Sequence, residues 1–269
     1  MNTKLTFALL FIALSINQIV SAQEVRSLKY SNGNANTGEY NKRTRQPGHF
    51  TMIYPNGDIY KGGWERRQPQ GKGIYRFATG ERYEGYWEKG KFAGKGTFYY
   101  ANGDIYDGNW VMGKQHGEGV YRYAMGGRYE GNWEAGKMMG KGTFYYANGD
   151  VLSAEFTDAD NQTGRGTFTY AKGGTYVGDV VNGLPEGEGT RVWPNGATYT
   201  GQWKEGMMSG HGKYTFASGA HYVGAWQEGK YHGEGTYTDP EGHVTHAIYE
   251  NGKVVKKLGT TRQVPRRTE

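Results

Sequence analysis

Arg76, Tyr99, Arg122 and Tyr145 stand at matching places in the chain, each 23 residues after the last. Lys72, Lys95 and Lys141 run beside them at the same spacing or twice it. Cations interleaved with rings can hold a polyanion, an anionic lipid headgroup or a sugar polymer. The same pairing also has a purely internal use, because arginine over tyrosine is favourable with no ligand present. Further along, Thr169, Val192, Thr215 and Thr238 take the same place, so an ionic site on this row belongs to the first half.

Such side chains form a surface only if the backbone repeats with them, and it does. Tyr60, Tyr83, Tyr106 and Tyr129 fall 23 residues apart, Leu152 continues the series, and Tyr176, Tyr199 and Tyr222 resume it. Glycine follows each tyrosine by two residues. Tryptophan follows by four, at Trp64, Trp87, Trp110, Trp133, Trp203 and Trp226, with Phe156 and Val180 as exceptions. A pair of glycines one residue apart then opens the second half of every unit, from Gly71 and Gly73 to Gly233 and Gly235. Spacing of two is the strand period, so Tyr83, Gly85 and Trp87 share a face, as do Gly94, Gly96, Phe98 and Tyr100. Gly90 and the Asn102-Gly103 dipeptide supply turns on either side. With 46 glycines and no three-and-four apolar spacing, a helix is excluded. Each unit reads as one β-hairpin whose glycines leave room for rings of neighbouring strands. A lone hairpin is marginal in water, so the units must stack as an array.

The recurring Tyr-Glu-Gly-x-Trp, Gly-Lys-Gly-Thr-Phe and Asn-Gly-Asp motifs resemble the MORN (membrane occupation and recognition nexus) family, from about Asn36 to Thr245. The resemblance implies an all-β, elongated, curved single-layer array of consecutive antiparallel hairpins. It also implies a scaffold, often membrane-associated, for which both phospholipid and protein binding are proposed. On this reading residues 60–245 are the array, with an irregular unit at 152–175 where Leu152, Ala154 and Phe156 replace tyrosine, glycine and tryptophan and one residue is inserted before Gly164. Residues 23–59 hold a degenerate capping repeat, and residues 246–269 a final strand and a basic tail. Two strands per unit at about 4.8 Å each give a rod on the order of 80–90 Å.

Residues 1–22 carry one lysine, an apolar run from Leu5 to Leu14 and the small-x-small ending Val20-Ser21-Ala22. They read as a secretory signal peptide or, alternatively, a short uncleaved anchor. Export to a bacterial periplasm or cell envelope, or to the medium, is the expectation, and with no cysteine the exported chain relies on packing alone. The formal net charge is +6, concentrated in Lys42-Arg43-Thr44-Arg45 and in the tail from Lys253. Such clusters suit acidic partners or anionic surfaces, or simply a solvated tail.

No catalytic set of nucleophile, base and orienting group is found, and no phosphate loop, cofactor motif or metal-binding spacing. His243 and His246 are three apart and so fall on opposite strand faces. Asp158–Gly164 lacks the ligand spacing of a calcium loop. The sequence therefore points to a non-enzymatic exported scaffold. Its partner would be a protein or an anionic phospholipid surface, bound along the elongated face through Lys72, Arg76, Lys95, Tyr99, Arg122, Lys141 and Tyr145. The alternative is an envelope-glycan module using exposed edges of the tyrosine and tryptophan ladders, rings that otherwise form the core. Nucleic acid is disfavoured by the export signal, and unpaired terminal strands leave end-to-end self-association open.

Overall fold

The computed structural model describes residues 23–29, 35–41, 47–158 and 163–262. The signal-peptide segment, the Lys42–Arg45 cluster, part of the Asp158–Gly164 loop and the tail beyond Arg262 lie outside them. Among the described residues there is no helix. Twenty-one strands, from β1 (Gln23–Lys29) to β21 (Lys253–Arg262), make one sheet, and each pairs antiparallel with the next in chain order. Among the described residues the sheet stays open, because β1 and β21 are each paired on one side only. Twenty steps of about 4.8 Å place the ends roughly 95 Å apart along the sheet.

One hairpin stands for most. β6 (Arg82–Glu88) and β7 (Lys91–Tyr99) are joined by Lys89-Gly90 at φ 48° and 75°, two left-handed residues that match the twist of the strands. The same pair of positive φ values closes Met112-Gly113, Ala135-Gly136, Asn182-Gly183, Glu205-Gly206 and Glu228-Gly229. At Arg66-Arg67 both residues carry side chains, at φ 48° and 66°. The return turn at Asn102-Gly103 is closed by the Gly103 N–H donating to the Tyr100 carbonyl at 3.0 Å, and by the Tyr100 N–H donating to the Asp104 carbonyl at 2.9 Å.

The paired glycines have two different tasks, where the sequence suggested one. Gly94 sits at φ 55°, a left-handed kink opposite a register shift between Gly85 and Tyr86. Gly96 is extended, and a Cβ there would meet the Tyr83 ring, 2.5 Å from Cζ. Bare backbone thus seats the ring. Tyr83 is wholly buried, and its hydroxyl donates to the Tyr86 carbonyl at 2.9 Å. The other six repeat tyrosines donate likewise to the carbonyl three residues on. Tryptophans of the next unit close over them edge-on, as Trp110 does on Tyr83 at 5.4 Å, its indole N–H bonded to the Gly96 carbonyl at 2.9 Å.

The irregular unit is still a hairpin, β12 (Val151–Asp158) with β13 (Thr163–Thr169). Leu152, Ala154 and Phe156 are buried, and the register shift moves to the Phe156–Asp158 stretch. At the C-terminal end the chain goes one strand further than the sequence suggests. Lys253–Arg262 pairs with β20 (His243–Glu250) as β21, where a basic tail was expected, and all its residues are exposed.

Candidate functional site

The strand register arranges the polar face, opposite the rings, into rows. Arg76 stands directly across from Arg82, Arg82 from Tyr99, Tyr99 from Ile105, and Ile105 from Arg122. Arg122 then faces Arg128, and Arg128 faces Tyr145. The pattern Arg-Arg-Tyr-Ile therefore returns after four strands, every second unit. The arginines that lie on the tyrosines are not the ones the sequence spacing selected. Arg82 is 4.0 Å from the Tyr99 ring centroid, and Arg128 is 3.7 Å from that of Tyr145. Both are also held by carboxylates, Arg82 by Glu84 at 3.2 Å and Arg128 by Glu130 at 2.5 Å. Hydrogen bonding to Glu130 pushes the Arg128 pKa up. Arg76 and Arg122 are exposed beside them and have no carboxylate within ion-pair distance among the described residues.

Lys72, Lys95 and Lys141 do come together in one feature. Three shallow depressions of about 380, 610 and 550 Å³ run along this face. Lys95 borders the first and second, and Lys141 the second and third, so the three form a continuous trough. Lys61, Lys72 and Arg165 complete its cations, while Glu84, Asp107, Glu118, Glu130 and Glu155 are set among them, three of these acids (Asp107, Glu118 and Glu130) lying together between Lys95 and Lys141. Five positive and five negative groups cancel. The trough is polar and charge-patterned, not a cationic plane. Glu118 takes the lysine place in its own unit; the other four carboxylates escaped the sequence reading because they come from the opposite strand, as Glu155 faces Lys141.

On the other face the tyrosine and tryptophan ladder is spent on packing. Tyr60, Tyr83, Tyr106, Tyr129, Tyr199 and Tyr222 are fully buried. Trp87, Trp110, Trp133, Trp203 and Trp226 are nearly so, and Trp64 is partly exposed. Trp64 apart, these rings therefore offer no exposed edge on which a glycan could stack. Burial raises the tyrosine pKa values, to about 12 for Tyr129 and Tyr222. A second set of rings is half exposed, and of these the sequence marked Phe98 and Tyr100 as sharing the ring face. It zigzags from Tyr54 to Tyr75, Phe77, Phe98, Tyr100, Tyr121 and Tyr123, with neighbouring centroids 4.6–5.8 Å apart. Successive units are also tied by hydroxyls. Tyr75 donates to Asp58 and Tyr121 to Asp104, each at 2.6 Å, which holds both carboxyls below the usual range.

His243 and His246 are engaged separately. His246 Nδ1 lies 3.0 Å from the Thr236 hydroxyl, and His243 Nδ1 lies 2.9 Å from Asp239. Asp239, Glu241 and His243 do approach one another in the exposed turn before β20, a grouping the sequence reading passed over.

The MORN repeat family pattern matches residues 60–82, 83–105, 106–128, 129–151, 159–175, 176–198, 199–221 and 222–244. The chain belongs to the MORN repeat family. MORN repeats mark a scaffold that often binds membranes or proteins, and proteins built from them are generally not enzymes. No curated protein matches the sequence. Among solved structures, the chain resembles the SAS-4 (dCPAP) TCP domain of Drosophila melanogaster, in complex with a proline-rich motif of Ana2 (dSTIL). Identity is 14%, with 73% of this chain and 99% of that one covered, at a TM-score of 0.37. A likeness to virginiamycin B lyase from Staphylococcus aureus covers 94% of this chain and 87% of that one, at 8% identity and a TM-score of 0.15. Neither score is high enough to bear on this MORN array.

Proposed function

We propose that this MORN protein is a non-enzymatic, exported scaffold that binds a partner protein along the polar face of its array. The supporting observation is the continuous trough from Lys61 to Arg165, in which five cations and five carboxylates are intermixed. Such mixed charge favours a partner with matched charges in register over a uniformly anionic sheet, and sets specificity more than raw affinity. The export signal read in residues 1–22 supports a place in the cell envelope. The test is capture of partners from envelope extract by the wild-type chain and by Lys95→Glu/Lys141→Glu. Partners held by the wild type, lost from the double variant and weakened by salt support the proposal. Identical partners on both proteins would remove it.

An anionic membrane surface is the second reading, and β21 favours it. Lys253, Lys256, Lys257 and Arg262 are exposed there beside Val254, Val255 and Leu258. Basic residues near an anionic leaflet contribute about 1 kcal/mol each. Flotation with phosphatidylglycerol vesicles should show binding that falls when these four cations are reversed. Binding indifferent to that change removes the membrane reading and leaves the protein one intact.

A further inference from the structure

The half-exposed zigzag of rings has one member that is not a ring. At this place seven of the eight MORN units carry tyrosine or phenylalanine: Tyr75, Phe98, Tyr121, Phe144, Phe168, Tyr214 and Tyr237. The unit spanning 176–198 carries Arg191. Its register confirms the substitution, since Arg191 lies directly across from Tyr176 on one side and Tyr199 on the other.

The guanidinium fills the missing step. Tyr146 stacks toward Phe168 and Phe168 on Tyr170, while beyond the gap Trp193 meets Tyr214 and Tyr214 meets Phe216. Arg191 bridges the two runs, 4.2 Å from the Tyr170 centroid and 5.0 Å from that of Trp193. Planar and delocalised, a guanidinium can replace a ring in such a stack.

Stacking alone does not account for the choice. A tyrosine or phenylalanine, as in the other seven units, would bridge the gap without stranding a donor. Arg191 Nε is shut off from solvent and donates to nothing. A donor buried without an acceptor costs stability. The rest of the guanidinium has no carboxylate or carbonyl partner among the described residues. The result is one cation without an ion-pair partner among the described residues, stacked between two rings on the aromatic face.

We propose that Arg191, with Tyr170 and Trp193, is an anchor site on the aromatic face for an extended, largely apolar segment of a partner protein bearing one aspartate or glutamate. The charges decide the class. A single fixed guanidinium matches a single carboxylate, which its fork can grip in bidentate fashion. A phosphate brings about two charges, and the site supplies one. The neighbouring rings suit the apolar flanks of the peptide. This surface is opposite the trough, and the proposal stands or falls separately from the reading given to the trough.

Arg191→Tyr is the decisive variant, because it returns the unit to the residue type its neighbours use and should fold at least as well as the wild type. Random dodecapeptides selected on the full-length chain should converge on one acidic residue flanked by apolar ones. Measured by anisotropy, the selected peptide should lose about tenfold to a hundredfold in affinity against Arg191→Tyr. Changing its acid to the amide should cost a similar factor, and the two losses should not add. Lys95→Glu/Lys141→Glu should leave its affinity unchanged. Failure to select any peptide, selection without an acidic residue, or equal binding by Arg191→Tyr would overturn the proposal. So would phosphatidylglycerol-vesicle binding that Arg191→Tyr abolishes, since the cation would then serve a membrane.

Discussion

Hairpin β6–β7 and hairpin β12–β13 solve one packing problem in two ways. In the first, Tyr83 lies over Gly85 and Gly96, and a Cβ at Gly85 would come within 2.6 Å of the tyrosine Cζ. In the second, Leu152 is shorter, Ala154 already carries the Cβ, and both are buried. Long ring with bare backbone and short side chain with a methyl fill the same space. What the array demands is a conserved sum of volumes and not a particular residue. The second solution forgoes the hydroxyl that each repeat tyrosine donates to a carbonyl, and its kink moves from a left-handed glycine to a bulge.

High pH should separate the two designs most strongly. Burial holds the repeat tyrosines protonated above their ordinary pKa of 10. Their contribution is therefore complete below pH 10 and is lost as pH rises through 10 towards the folded values. Each proton retained only in the fold costs about 1.4 kcal/mol per pH unit. The chain should unfold cooperatively above pH 10, with tyrosinate absorbance and loss of far-ultraviolet signal rising together. Ionisation of all 23 tyrosines near pH 10 in an intact fold would mean the repeat rings are not sealed.

Gly96→Ala should destabilise by about 1–3 kcal/mol or more, read from the urea midpoint, since the new methyl collides with the Tyr83 ring. Gly259→Ala in β21, with nothing within 4 Å, should change stability by less than about 0.5 kcal/mol. Transplanting the second solution is a sharper test. Tyr83→Leu and Gly85→Ala should each destabilise, and the double variant should recover about 0.5–3 kcal/mol relative to their sum. Strict additivity would refute the volume argument. One substitution should give a gain. Arg67 holds a left-handed φ that glycine holds in the other hairpins, so Arg67→Gly should stabilise by about 1 kcal/mol.

The hairpin array was legible because the ring and glycine periods are written in side chains. The left-handed kink at Gly94 was not, since the sign of φ leaves no trace in which residues share a face. The candidate site was legible by halves. Lys95 and Lys141 were visible as cations, but their neighbours are set by register across a turn. Thus the residue beside Arg76 is Arg82, six places on, and not Tyr99 one unit later. Arg191 was overlooked although its signal was plain: a charge at a position where the other units place a ring.

Among the described residues every strand is bonded only to its sequence neighbours. Such a chain is a ruler graduated in 23-residue marks. Deleting or duplicating one mark alters the span between its ends without rewriting any remaining contact. Evolution and engineering alike can therefore tune reach by whole steps, and a pull on the two ends would unzip it stepwise, like beads released from a string.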